Sequence, residues 1–489
     1  MTGDYGDNRP AAAAHYPIAL PGRPRFGQSL APFVRLLPVA AVLALAPLAM
    51  RSDGGRRALL ASSAFVALFS MRATGAFPLC ALAYLAFLGG IRRYLIPVLG
   101  WSGNDLLLLV CPAVAGLIFG GKAFARQLPR DTRLARLLPW LLLIMALQIF
   151  NPMQGGLEVG AAGALFYIVP LLWYYVGRDL GTAEFLPKLL RLTVGIAILA
   201  ALYGLYQNFF GFAPCEETWI QLAGPLYGAL NVGDTKRVFS FFTSAAEYNA
   251  FLSLGIVLLW AYWLRTRSFA ALLPIPLLAA AILYSGIRGP IVFTLFTCAL
   301  LVAVQGRRAA SWLPRCCLAL AVGAVGLIWS LQQVEKVNGG GQAQELVAHQ
   351  TQGLLNPFDS EKSTVGIHTD LIGIGFMEGF TNPLGRGLGA TTLAASKYGE
   401  GSVSTEVDLS NMFLSLGLAG GLLYAALCGL ILTNAFRYWH RARSVVALSL
   451  LGVLAASLGQ WLNGGHYAAC LLIWFCIGAL DRAQAEEAQ

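Results

Sequence analysis

Charged side chains are scarce in this chain. Asp, Glu, Lys and Arg make up 12% of its 489 residues, about half of the roughly 25% in a soluble domain. That shortage excludes a water-soluble globular protein of this length, and the mean hydropathy of +0.65 agrees. Strict alternation of apolar and polar residues is missing, which excludes a transmembrane β-barrel. Eight of the nine cysteines fall in apolar runs or at their edges and Cys215 alone in a connection. Their spacing fits neither a metal site nor a disulfide framework, so they read as small packing residues. No internal repeat is visible, and the interiors of the apolar runs are nearly free of charge, with Asp105, Glu247 and His466 near their ends. Ion-coupled transporters use ionisable groups at mid-membrane, often in repeated halves, so transport is disfavoured.

What is abundant is long apolar sequence. Fourteen runs stand out, at 33–50, 57–71, 75–91, 104–121, 136–150, 161–177, 188–210, 243–264, 269–285, 290–305, 311–331, 411–436, 444–462 and 465–481. The fold class is therefore all-α: a polytopic helical membrane protein with 12–14 transmembrane helices and one large, partly helical external loop. The expected organisation is a disordered cytoplasmic tail (1–32), eleven spans (33–331), the external loop (332–410), three spans (411–481) and a short cytoplasmic tail (482–489). Lys and Arg concentrate in the connections at 122–136, 178–188, 265–267, 307–315 and 437–443, which marks these as cytoplasmic and both termini as inside. The net charge of +10 thus reflects topology and not nucleic-acid binding. Arg51/Arg56/Arg57 and Arg92/Arg93 break the pattern, since alternation puts them outside.

The large loop carries nine acidic residues against four basic ones between 332 and 409. Against that acidity, arginines on the same side stand out. Arg237 precedes a span, and Arg288 sits in the tight turn Ser285-Gly286-Ile287-Arg288-Gly289. A guanidinium fork in so short an outer turn suits phosphate oxygens, and two together point to a phosphate or diphosphate. Snorkelling to lipid headgroups is the alternative for either alone. Residues 364–380 read as an amphipathic helix bearing His368, a candidate proton acceptor or an interfacial histidine. The run Asn382–Gly389 is a glycine-rich turn permitting close backbone approach, with Arg386 either a third cation for the phosphate or the partner of a loop carboxylate. Glu406 and Asp408 either cap the next span or act as a general base. Trp219, Tyr227, Tyr248 and Tyr398 offer aromatic surface for sugar rings or for the membrane interface.

Taken in order, Gly204-Leu205-Tyr206-Gln207, Arg237-Val238-Phe239-Ser240-Phe241-Phe242, Tyr284 to Gly289, Asn382 to Gly389, and Ser410-Asn411-Met412-Phe413 with Gly417-Leu418-Ala419-Gly420-Gly421 resemble the O-antigen ligase and polymerase superfamily. The resemblance spans residues 140–435 and implies a metal-independent glycosyltransferase without cofactors in the bacterial inner membrane. Its implied substrates are undecaprenyl-diphosphate-linked glycans met at the periplasmic face, and a flippase and a chain-length regulator are the implied pathway partners. Arg237 and Arg288 would hold the donor diphosphate. A loop histidine, here His368, would activate the acceptor hydroxyl, with Glu406 and Asp408 as rivals. Ligases of the superfamily often carry His-Asn where this chain has Ser410-Asn411, which favours a repeat-unit polymerase of the exopolysaccharide or O-antigen type over a ligase. A lipid-linked-oligosaccharide flippase is the alternative from another class.

Overall fold

The computed structural model describes residues 52–488 apart from 224–229, 233–234, 307, 338–341, 357–358, 360–364, 400 and 464. The tail at 1–32, the run at 33–50 and Tyr227 lie outside the described residues. Every later apolar run corresponds to a helix. The first ten long segments are α1 (Asp53–Ser70), α2 (Phe77–Tyr94), α3 (Val110–Phe124), α4 (Arg133–Gln148), α5 (Leu157–Leu180), α6 (Leu186–Phe210), a short α7 (Pro214–Ala223), α8 (Ala245–Thr266), α9 (Ile275–Leu283) and α10 (Gly289–Ala303). They are followed by α11 (Trp312–Val337), three loop helices, α12 (Gln342–Leu355), α13 (Val365–Thr381) and α14 (Leu393–Tyr398), and then α15 (Asp408–Ala442), α16 (Val445–Ala456) and α17 (Tyr467–Ala488). Among the described residues, seven segments are long and apolar enough to cross a bilayer unaided. The chain is an all-α polytopic membrane protein.

Helices of this kind gain no hydrophobic energy from one another inside lipid, so close backbone packing must hold them. The α5–α17 pair shows how. A Cβ on Gly177 would fall 2.1 Å from the Phe475 carbonyl oxygen, and one on Gly478 equally close to that of Tyr174. At one end of the bundle Asp481, fully buried, accepts hydrogen bonds from Tyr174 Oη (2.5 Å), Thr132 Oγ1 (2.9 Å) and Arg178 Nη1 (2.8 Å), tying α4, α5 and α17 together. Lys122–Asp179 lies at the same end. The opposite end carries the loop helices and everything chemically unusual.

Arg92 and Arg93, anomalous by charge bias, belong to that second end and are neutralised there. Arg92 pairs with Asp105 at 3.0 Å. Arg93, 2% exposed, donates to the Phe242 (2.9 Å) and Ser240 (2.7 Å) carbonyls and faces Glu216 at 3.8 Å. Glu216 is held in turn by Tyr203 (3.1 Å) and Gln207 (2.8 Å). A buried ion pair is costly to build but fixes geometry when most of its donors and acceptors are held, as here, where Arg93 Nε alone of the guanidinium nitrogens lacks a hydrogen bond. Here it fixes the segment that follows Arg237.

The glycine-rich run from Asn382 has a structural task. At Gly417 (φ 73°, ψ −166°) α15 breaks, which takes the local backbone groups out of the helical ladder. Residues 383–387 replace those partners: Arg386 N donates to Leu414 O (2.9 Å), Gly387 N to Ser415 O (3.1 Å), and Leu418 N donates to Pro383 O (3.1 Å). Irregular backbone is tolerated at such depth only when protein satisfies it. The approach is so close that a Cβ at Gly417 would meet Pro383 O at 2.1 Å.

Candidate functional site

Arg288 immediately precedes α10 and is reached from α12. Gln350, fully buried on α12, donates through Nε2 to the Ile282 (3.2 Å) and Ile287 (3.3 Å) carbonyls, docking the helix on the turn that presents the arginine. The Arg288 guanidinium then lies on the helix itself. Its Nη2 is 2.9 Å from the His349 carbonyl oxygen, 3.0 Å from His349 Nε2 and 3.3 Å from Nδ1. The absence of a side chain at Gly353, one turn on, allows this: a Cβ there would stand 1.9 Å from Arg288 Cζ. Arg288 Nε is buried without a hydrogen-bond partner, and among the described residues no carboxylate pairs with this arginine.

Arg237 arrives from a different element. It follows a two-stranded hairpin, Asn231–Val232 against Thr235–Lys236, and its backbone N–H donates to Leu230 O (2.8 Å). Thr235 Oγ1 donates to Glu345 on α12, joining the hairpin to the same helix. The Arg237 side chain passes across Gly286, its Cγ and Nε each 3.6 Å from where a Cβ would be, so both arginines share one turn. Burial and the neighbouring charge of Arg288 hold the Arg237 guanidinium below the usual arginine value, while Glu406 opposes them. Burial also lowers Arg288. His349 is held below the usual histidine value by burial, then by Arg288 and Arg237, so its neutral form is favoured. Two partly desolvated cations side by side are unfavourable unless an anion joins them.

Glu406 connects this cluster to the histidine foreseen from sequence. His368 Nδ1 lies 2.7 Å from Glu406 Oε2, both side chains about half exposed. Glu406 takes a left-handed backbone (φ 64°), rare for a side-chain-bearing residue and costing on the order of 1–3 kcal/mol. Gln460 Nε2 donates to its carbonyl oxygen at 2.5 Å. A histidine whose Nδ1 faces a carboxylate has the arrangement of an oriented general base.

Other expected residues lie elsewhere. Asp408 is the first residue of α15 and is buried, its Oδ2 accepting from Leu462 N (2.7 Å) and Tyr424 Oη (3.4 Å). It neither caps its own helix nor reaches the arginines: neighbouring positions at a helix start point in different directions, so Glu406 faces the site and Asp408 the packing. Arg386 pairs with Glu378 at 2.6 Å, a loop carboxylate. Tyr248 is core, fully buried, with its hydroxyl 2.0 Å from where a Gly204 Cβ would fall. Trp219 is buried against Phe239 and Arg93. The helix around His368 packs through glycines, Gly375 and Gly379, onto Ser410 and Phe413, leaving Ile367, Ile374 and Met377 exposed.

His349 is absent from the sequence-derived set. The available signal was Glu345, His349 and Gly353, each four residues from the next and hence on one helical face. In a polar segment of unknown docking, that spacing had no partner to give it meaning. Compared with protein-family models and with curated proteins, the chain matches none.

Proposed function

We propose that the chain is a glycosyltransferase of the bacterial inner membrane, with both termini cytoplasmic and its site at the periplasmic face. It polymerises repeat units carried on undecaprenyl diphosphate. The observation that carries this reading is the convergence of Arg237 and Arg288, the latter without a carboxylate partner among the described residues, beside a histidine–carboxylate pair at one end of a membrane bundle. The donor diphosphate lies across the two guanidiniums. The acceptor hydroxyl oxygen attacks the anomeric carbon while its proton passes to His368, whose imidazolium Glu406 stabilises. The bond from that carbon to the diphosphate oxygen breaks, and its electron pair leaves with the diphosphate, where the arginines bear the charge. Base and leaving group must stand on opposite sides of the reacting carbon. His349, in contact with Arg288, belongs to the leaving-group side, and His368 to the acceptor side.

The test is reconstitution of the purified protein with a defined undecaprenyl-diphosphate-linked repeat unit, reading products by mass. A ladder of lengthened chains and released undecaprenyl diphosphate is expected. A single transfer to a lipid or protein acceptor would replace polymerase by ligase. Movement of the lipid across the vesicle without a new glycosidic bond would overturn the enzyme reading in favour of a flippase.

The same assay has a pH dependence with a definite sign. Burial and two guanidiniums disfavour the His349 imidazolium, so the neutral ring that accepts from Arg288 persists to lower pH than an ordinary histidine of about 6.5. In a His368→Gln background, where protonation of the base no longer limits the residual rate, initial rates should therefore hold as pH falls through that value and drop only below it, and adding His349→Gln should abolish this acid limb. A limb at or above the ordinary value, or one unchanged when H349Q is added, would contradict the assignment.

A further inference from the structure

At the same end of the bundle a second chamber of about 640 Å³ opens between α2, α3, α5 and α14. It holds none of Arg237, Arg288, His349, His368 or Glu406. Its depth is apolar, with Leu85, Cys111, Phe166, Val169 and Trp173 in the wall. Its mouth is polar, with the exposed Asn104 and Lys397 and the half-buried Arg92. Leu106, Leu109 and Leu165, lining the side between α3 and α5, are 40%, 39% and 38% exposed on the bundle's flank. An apolar volume that opens sideways toward hydrocarbon, with a polar mouth at the end of the bundle, matches an amphiphile and not a water-soluble ligand.

Charge selects the headgroup. Arg92 is already paired with Asp105 and stacked on Trp101 (4.8 Å). Among the described residues Lys397 instead meets neutral groups, Asn104 Oδ1 at 2.5 Å and the Tyr398 ring at 5.1 Å. Among the described residues no carboxylate pairs with its ammonium, and a phosphate beside it would form a charge-assisted contact. A zwitterionic headgroup offers no net charge to that cation, and a free phosphate would leave the apolar chamber empty.

We propose that this chamber is a second lipid site, taking a membrane lipid with an anionic phosphate headgroup, its chain among Leu85, Phe166 and Val169 and its head at Lys397. The site stands on its own geometry. It also adjoins the arginine cluster through one segment: Arg237 belongs to the cluster, Thr243 lines the chamber, and Arg93 holds the carbonyls of Ser240 and Phe242 between them. On the other flank Gln460 accepts from Asn463 of the chamber wall (2.7 Å) and donates to Glu406 O. If the proposed glycosyl transfer holds, a lipid here is placed as carrier of the acceptor.

Native mass spectrometry of the intact purified protein tests this without any glycan, so its failure is separate from failure of the glycosyltransferase reading. The full chain is titrated with phosphatidylglycerol, phosphatidylcholine and inorganic phosphate. One phosphatidylglycerol should bind about tenfold more tightly than phosphatidylcholine, the worth of one charge-assisted contact. Lys397→Glu, on the surface, should erase that preference, and Leu165→Trp, at the side opening, should remove the tight site while Lys397 stays. Equal binding of the two lipids, a preference unchanged in K397E, or an occupant unaffected by L165W would each overturn the proposal. Displacement of phosphatidylglycerol by inorganic phosphate would replace the lipid site by a simple anion site.

Discussion

Arg288→Ala protein, inserted at normal levels, should transfer glycan on the order of 10²–10³-fold more slowly than the wild type, the usual loss when one preorganised donor to a developing negative charge is removed. The reason lies in what surrounds the arginine. Its Nη2 is committed to His349 and to a helix carbonyl, its Nε is buried, and no carboxylate among the described residues balances it. The charge is held in place before substrate arrives, so little reorganisation is needed when the diphosphate leaves. Arg288→Lys keeps the charge but loses the planar fork, and should recover only a small part of the rate. Turnover in proteoliposomes, normalised to inserted protein, decides the matter. Wild-type polymer lengths from R288A would remove the arginine from the mechanism.

Gly353→Ala is the second and sharper expectation. In an ordinary helix interior this change favours folding by up to about 1 kcal/mol, because alanine is the better helix former. In α12 the new methyl would occupy the space of the Arg288 guanidinium, 1.9 Å from Cζ and 2.1 Å from Nη1. The guanidinium is the end of a flexible side chain, so it yields and the helix does not. The variant should unfold no earlier than the wild type and yet lose activity approaching that of R288A. Thermal unfolding measured beside turnover separates the two effects. Loss of stability together with activity would mean that the methyl disturbs α12 itself, and unchanged activity would show that Arg288 does not need its seat on the helix.

The helices were legible because lipid imposes one simple requirement on sequence, and the apolar run at 188–210 accordingly becomes Leu186–Phe210. The grouping of Arg237 with Arg288 was legible for a related reason: both were expected in outer turns, where arginine runs against the charge bias and needs a cause. His368 with Glu406 was half legible, since both residues were singled out but nothing in their spacing joined them. What stayed hidden depends on contacts between distant segments. Arg92 and Arg93 contradicted the topology until Asp105 and Glu216 were beside them. His349 drew no notice because its importance comes from a turn 61 residues earlier in the chain. Asp408 looked as reactive as Glu406 until its oxygen was found on Leu462 N.

The break at Gly417 bears on how the chain tolerates change over time. Residues 383–387 meet α15 through main-chain atoms, so the side chains of Leu384, 81% exposed, and Arg386, paired only with Glu378, are free to drift or to exchange as a pair. Gly385, Gly387, Gly389 and Gly417 are not, because each faces neighbouring atoms within 3 Å of any added Cβ. Descendants of this chain should therefore keep four glycines while varying Leu384 and the Arg386–Glu378 pair. Such a pattern in a large loop invites a reading as a substrate-binding signature, when what it preserves is a splice between two pieces of backbone.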